Sequence, residues 1–235
     1  MSMSRHFIAP EDCANCRLPS SGEFCHLEKD PLDFLSGIGH ITLYPAYATL
    51  LKEGQTPPGV YIVCSGRVKL SVDTATGKTV ILKVAERRQV LGLSTVVTER
   101  PAPLTATTMD FCQIKFVERG NFMRLMESDQ KIALTCAKLL AREVSGTFDD
   151  VYDLLLARSS TEKLVRLLLS LVVGEPHNRN LRVASDFTHE EMAQMIGSSR
   201  ETVTRLLCEM RRKELIRIEG STLVIPNRVA LQAIA

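Results

Sequence analysis

The sequence has no long hydrophobic run and no excess of charge of either sign. No stretch approaches the ~20 apolar residues that a membrane-spanning helix needs, and the first residues lack the apolar core of a secretory signal peptide. With 29 Lys and Arg against 27 Asp and Glu, the net charge is +2. The total charge therefore does not indicate nucleic-acid binding, and any basic surface must be local. We expect a cytoplasmic protein without a membrane partner, whose thiols are kept reduced.

Motifs of common catalytic sites are missing as well. The sequence contains no P-loop, no His-Glu-x-x-His metalloprotease motif and no arrangement typical of a serine hydrolase. We therefore expect that the protein is not an enzyme. The length of 235 residues and the hydrophobic content of 45% are enough for one large domain or two modest ones with a proper core.

Cysteine is present in number, with three of the seven residues near the start of the chain. Cys13, Cys16 and Cys25 lie in a polar segment that is too short to bury thiols in a core of its own. An odd number of cysteines in a reducing compartment argues against disulfides, and Cys-x-x-Cys there is typical of a metal or redox site. Three further cysteines lie in apolar stripes and are interpreted as core residues: Cys64, Cys136 and Cys208.

The hydrophobic pattern changes along the chain and predicts four segments. Residues 1–30 form a cysteine-containing arm. Residues 31–127 contain short alternating runs separated by turns, which is typical of an antiparallel β-roll or barrel. Residues 128–157 are predicted to form one long helix without proline, about 43 Å in length. Residues 158–235 contain a further helix, two short helices joined at a glycine, and a small hairpin.

The long helix predicts a homodimer. Its apolar residues recur at three- and four-residue steps, and the helix is longer than the preceding domain can cover. The alternative is that this stripe packs into the core of its own chain. The residues expected in the dimer interface are Ile132, Cys136, Leu140, Val144, Phe148, Val151 and Leu155.

Residues 188–225 match the plan of a winged helix-turn-helix. Thr188 and Glu191 form a capping box, the first helix ends at Gly197, and the next begins after two serines. Arginine reads guanine in a bidentate manner and glutamate accepts from cytosine N4, whereas the alternative is an ordinary solvated helix face. The residues expected to contact DNA are Ser199, Arg200, Glu201, Thr204 and Arg205.

The order of β-roll, long helix and winged helix-turn-helix resembles the CRP/FNR family of bacterial transcription regulators. The most specific matching stretches are residues 53–70 in the roll and residues 197–207 in the second short helix. The resemblance implies an α+β fold with an N-terminal roll like a cyclic-nucleotide-binding domain, a dimerisation helix and a C-terminal winged helix-turn-helix. It also implies three partners: double-stranded DNA with palindromic half-sites, a second copy of the chain, and RNA polymerase.

Members of the family that bind cyclic nucleotides hold the phosphate with a Gly-Glu-Leu turn and an Arg-Ser/Thr-Ala segment. Residues 92–94 read Gly-Leu-Ser here and residues 103–106 read Pro-Leu-Thr-Ala, so the glutamate and the arginine are both missing. A buried phosphate without those partners would be poorly compensated. We therefore favour another ligand over a cyclic nucleotide, which stays open as the alternative because the nearby Arg100 could replace part of the contact.

The FNR-type, oxygen-sensing branch of the family holds a [4Fe–4S] cluster with three arm cysteines and one roll cysteine. The resemblance implies Cys13, Cys16, Cys25 and Cys112 as the ligands here, and four thiolates suit such a cluster. The cluster would report oxygen or redox state by controlling dimerisation and DNA binding. The spacing departs from that branch, because eight residues separate Cys16 from Cys25 where five are typical. The alternatives are zinc, a thiol redox switch, another small effector in the roll, or no ligand.

Overall fold

The computed structural model describes residues 35, 37–156, 159–173, 180–183, 187–219 and 222–234, with only the main chain at 148–156 and 173. Cys13, Cys16 and Cys25 therefore lie outside the described residues. The chain divides into two compact units, one of residues up to 72 with 83–146 and one of residues 73–82 with those from 147 onward. The predicted domain boundaries stay predictions. None of the described helices is both long and apolar enough to cross a membrane.

Short strands build an antiparallel roll, as the spacing of the turns predicts. They form two four-stranded sheets, ordered β1-β8-β3-β6 and β2-β7-β4-β5. The strands are β1 (Gly39–Tyr44), β2 (Thr49–Leu51), β3 (Gly59–Ser65), β4 (Val68–Asp73), β5 (Thr79–Ala85), β6 (Val90–Leu91), β7 (Thr105–Thr108) and β8 (Cys112–Glu118).

Strands β3 and β8 have buried side chains on both faces, because side chains alternate along a strand. On one face, Cys112 and Ile114 belong to the interior of the roll. On the other face, Val60, Ile62 and Val117 pack against a helical layer. Burial on both faces explains why residues 60–63 are continuously apolar and do not alternate.

The helices whose bounds the structure describes in this part of the chain and its continuation are α1 (Leu93–Thr98), α2 (Arg119–Ser128), α3 (Gln130–Leu156) and α4 (Ser160–Ser170). The long helix α3 has 27 residues, which corresponds to about 40 Å. Its first turns pack against the roll and α2, so the helix contributes to the core of its own chain.

The predicted dimer interface is wrong at Ile132 and Cys136. Both side chains are fully buried in the core that includes Phe122 and Leu125, so they cannot contact a second copy. Leu140 is half-buried against the same core. A three- and four-residue repeat is common to any apolar helix face, and the pattern alone did not separate the face toward the core from the others. Val144 remains exposed, and the side chains of Phe148, Val151 and Leu155 lie outside the described residues.

The second unit contains the predicted winged helix-turn-helix. Its helices are α5 (His189–Ile196), α6 (Arg200–Arg212) and α7 (Arg228–Gln232). Its strands are β9 (Val172–Val173), β10 (Leu181–Val183), β11 (Arg217–Glu219) and β12 (Thr222–Ile225), in the sheet order β11-β12-β10-β9. The hairpin β11–β12 is the predicted wing. Strands β9 and β10 were not predicted, because two- and three-residue strands carry too little sequence pattern.

Candidate DNA-binding site and sensor cysteine

Side-chain caps fix the turn between α5 and α6. Thr188 and Glu191 form the predicted capping box at the start of α5. Gly197 ends α5 at φ 62°, in the left-handed region where a side chain would add strain. The Ser199 hydroxyl then accepts from the main-chain N–H of Thr202 and starts α6. The chain can therefore reverse within three residues and place α6 across α5.

Helix α6 buries one side and exposes the other. Its buried residues are Val203, Leu206, Leu207 and Met210. The predicted DNA contacts lie outside that stripe, with Arg200, Glu201 and Arg205 exposed and Thr204 half-buried. Residues three and four positions apart are neighbours on a helix surface, so these side chains form one continuous polar surface. We call α6 the recognition helix.

The charges on this surface are available to a ligand. Arg205 Nη1 lies 3.0 Å from Glu209 Oε1 in an ion pair that is exposed on both sides, and such pairs contribute at most about 1 kcal/mol. The guanidinium of Arg200 has no hydrogen-bond partner within the part of the chain that the structure describes. Hydrogen bonds from its own main-chain N–H and from Ser199 lower the pKa of Glu201, so its carboxylate is ionised and accepts hydrogen bonds.

Two exposed residues of the winged helix-turn-helix were not predicted from the sequence. His189, the first residue of α5, has its Nδ1 2.9 Å from the hydroxyl oxygen of Thr204. Arg217, on β11 of the wing, is exposed together with its two strand neighbours. The position of His189 directly after a helix cap is visible in the sequence, but its partner lies 15 residues away. Only the packing of α5 against α6 brings the two together.

Cys112 is a buried, protonated thiol. Its Sγ donates to the main-chain oxygen of Arg67 at 3.3 Å, and burial together with the nearby Asp110 carboxylate raises its pKa to about 12. A Cβ added at Gly66 would lie 2.5 Å from this sulfur, so the main chain of residue 66 closes over it. In the described conformation Cys112 does not fit the role of a cluster ligand, because its sulfur faces the interior of the roll.

Other cysteines differ from one another in exposure. Cys136 is buried and its pKa is raised to about 11 by burial, Cys64 is half-buried, and Cys208 is exposed on the recognition helix. The interpretation of Cys208 as a core residue is therefore wrong. Among the described residues, no group of three or more His, Cys, Asp and Glu side chains could hold a metal ion.

The place where a cyclic-nucleotide phosphate would bind is apolar in this roll. Leu93, in place of the family's glutamate, is the first residue of α1 and is buried in the core. Leu104, in place of the arginine, is half-buried. Thr105 follows, and its hydroxyl accepts from the main-chain N–H of Glu53 at 3.2 Å. Arg100 is exposed. The two positions at which the family has a glutamate and an arginine therefore carry leucines here.

Two protein families match the chain, one for each part of the fold. The cyclic nucleotide-binding domain matches residues 41–129, and the Crp-like helix-turn-helix domain matches residues 162–234. The chain belongs to the CRP/FNR family of transcription regulators. As a CRP/FNR protein it is a DNA-binding transcription regulator, and regulators of this family bind DNA and act as dimers. The comparisons support the predicted family and leave the FNR-type branch as a prediction.

Relatives of this CRP/FNR protein include a CRP-like cAMP-activated global transcriptional regulator of Mycobacterium tuberculosis. The two are 27% identical over 186 residues, which cover 78% of this chain and 83% of the relative. The cAMP-activated regulator CRP of Salmonella typhimurium is 27% identical over 207 residues, 84% of this chain and 95% of that protein. The solved structure of the c-di-GMP-responsive regulator CLP of Xanthomonas campestris superposes with a TM-score of 0.72 at 18% identity, over 85% of this chain and 100% of that one.

Proposed function

We propose that this CRP/FNR protein reads a palindromic DNA site with the recognition helix and senses oxygen or redox state through its N-terminal cysteines. The observation that carries the DNA part is the exposed polar surface of Arg200, Glu201 and Arg205 at the start of a helix whose other side is buried. A helix presented in this way fits the major groove with its first turns on base edges. In a dimer, two such helices would contact half-sites about 34 Å apart.

Substitution of the arginines tests the DNA contacts. We expect Arg200→Ala and Arg205→Ala each to cost about 1–3 kcal/mol of binding free energy and to relax selectivity at one base pair. The measurement is the affinity for the selected site and for every single-base-pair change in a half-site. Arg212→Ala, a matched change at the far end of the same helix, should lower affinity equally on all duplexes or not at all. If Arg200→Ala and Arg205→Ala each lowered the affinity equally for all duplexes, the two arginines would contact phosphates and not bases.

The sensing part rests on the cysteines Cys13, Cys16 and Cys25 and on the absence of charged phosphate-binding groups in the roll. Three thiols spaced so closely are typical of a metal or redox site, and a bound [4Fe–4S] cluster would supply chemistry that reacts with oxygen. Cys112 stays a predicted fourth ligand. In the described conformation the main chain at Gly66 encloses its sulfur.

The dimer contact is proposed to keep Val144 from the predicted interface and to replace the core-facing Ile132 and Cys136 by exposed residues of α3. Exposed apolar side chains recur at alternating three- and four-residue steps on the side opposite to the core-facing Ile132 and Cys136. This spacing is that of a coiled-coil seam. We call these residues the apolar seam: Leu134, Ala137, Ala141 and Val144.

A further inference from the structure

One hydrogen bond joins the two helices of the helix-turn-helix at its exposed side. The hydroxyl oxygen of Thr204 lies 2.9 Å from Nδ1 of His189. His189 is the first residue of α5, and Thr204 lies one turn into α6 beside Arg200 and Arg205. Neither side chain has another hydrogen-bond partner in the described ranges. The contact therefore links a residue that faces the proposed DNA surface to one that does not carry a predicted DNA contact.

Thr204 differs in this respect from three other helical threonines of the chain. The hydroxyls of Thr95, Thr98 and Thr135 each donate to a main-chain carbonyl three or four residues earlier in the chain. That is the usual arrangement for threonine in a helix. In Thr204 the hydroxyl instead contacts the side chain of the neighbouring helix.

Among the described residues, Thr204 is the hydrogen-bond partner of the His189 imidazole. His189 borders a cavity of about 240 Å³ whose lining is mainly apolar and includes Phe187, Met192 and Leu207. The charged residue in that lining is Arg211, almost two turns further along α6. His189 is exposed, so its bond to Thr204 is the contact with the described protein that orients the ring.

Holding the hydroxyl of Thr204 also fixes its methyl group, because both groups are attached to Cβ and threonine is stiff at χ1. We propose that His189 is a positioning residue that sets the side-chain conformation of Thr204 and thereby the base preference at the position that Thr204 faces. A fixed methyl contacts a thymine methyl, and the hydroxyl keeps two hydrogen-bonding sites for a base edge. This inference rests on the proposed function, in which Thr204 contacts DNA.

The test compares base discrimination in single variants of the full chain. The wild-type protein first selects its site from a pool of duplexes with random half-sites, and affinities are then measured for all single-base-pair changes. We expect Thr204→Ala to change discrimination at one base pair, and His189→Ala to reduce it at the same base pair, by about tenfold. His189→Asn should retain discrimination, because the asparagine amide places a polar atom close to the position of Nδ1.

Three outcomes separate this inference from the function on which it rests. If Thr204→Ala changes discrimination and His189→Ala does not, the inference is wrong and the DNA contact of Thr204 stands. If Thr204→Ala leaves discrimination unchanged, the contact itself is wrong and the inference falls with it. If His189→Ala lowers affinity equally on all duplexes, a phosphate contact explains it. The double variant should discriminate no worse than Thr204→Ala alone.

Discussion

At the scale of single residues, the neighbourhood of Cys112 is held by its contacts with a turn. Asp110 accepts from the main-chain N–H and from Nε of Arg67, at 2.8 and 2.9 Å, while the Cys112 thiol donates to the Arg67 carbonyl. These contacts require glycine at position 66 for two reasons. Its φ of 85° is in the left-handed region, and the neighbouring atoms leave no space for a side chain. The Cys112 thiol is therefore enclosed by the main chain at Gly66 and by the hydrogen-bonded pair of Arg67 and Asp110.

Replacing this glycine tests how tightly Cys112 is enclosed. In Gly66→Ala the new Cβ would meet Cys112 Sγ, Phe111 O and Asp110 Oδ1 at 2.5–2.8 Å. We expect a loss of about 3 kcal/mol or more of unfolding free energy, from the clash together with left-handed strain. The measurement is the urea midpoint of the purified protein.

The matched control is Gly77→Ala in the β4–β5 turn. Gly77 has φ 76° and no atom within 4 Å of an added Cβ, so only the strain of about 1–2 kcal/mol applies. Equal losses for the two variants would contradict the enclosure of the sulfur, since the clash would then contribute nothing.

At the scale of elements, the roll and the winged helix-turn-helix could be predicted from the sequence, while the faces of α3 could not. Alternating strands, the capping box and the glycine turn are local signals, and the structure has them where they were predicted. The division of α3 into a core face and an apolar seam depends on how the helix packs against α2. For the same reason the contact between His189 and Thr204 was missed, because two helix positions 15 residues apart meet only through tertiary packing.

A charge in the apolar seam tests the dimer contact. Val144 is 56% exposed, and Val144→Glu would place two like charges opposite each other across a two-fold axis in an apolar contact. We expect the dimer dissociation constant to rise at least about tenfold, a cost of about 1.4 kcal/mol. Sedimentation equilibrium measures it.

Arg142→Glu is the control, because this exposed residue lies on the same helix outside the seam. It should leave the dissociation constant within about threefold of the wild-type value. If Val144→Glu left the dimer dissociation constant unchanged, the two copies would contact each other through another surface.

At the scale of the whole molecule, the two parts of the fold have different tasks: the winged helix-turn-helix contacts DNA and the roll with its arm would receive the signal. The proposal of metal or redox sensing rests on Leu93 and Leu104 in place of the family's phosphate-binding residues and on the spacing of the arm cysteines. Fold similarity to cAMP-activated relatives therefore does not transfer their ligand, because the fold and the ligand depend on different residues.

Metal content tests the proposed sensor. Anaerobically purified protein is expected to contain about four iron and four sulfide per chain, as a [4Fe–4S] cluster requires, and to lose its visible absorption in air. Cys13→Ser, Cys16→Ser and Cys25→Ser should each lose the iron, and Cys112→Ser tests whether the roll supplies a fourth thiolate. Cys208→Ser is the control and should retain it, because this exposed thiol lies in the other unit.

Iron-free protein prepared under strict anaerobic conditions would contradict the cluster. Zinc in its place would support the alternative ligand for the same arm. If only Cys112→Ser retained iron, the arm would bind the metal without the roll.

Because two of the four seam residues are the alanines Ala137 and Ala141, the occupancy of a DNA site should depend on the concentration of the protein. Each alanine can bury only a methyl group between two copies, and apolar burial contributes only about 25 cal/mol per Å². Over its described part, the seam therefore provides modest association energy. When most chains are monomers, occupancy of a palindrome rises with the square of chain concentration. A twofold change in expression would then change occupancy about fourfold, which makes the cell's production of this regulator an input beside any chemical signal.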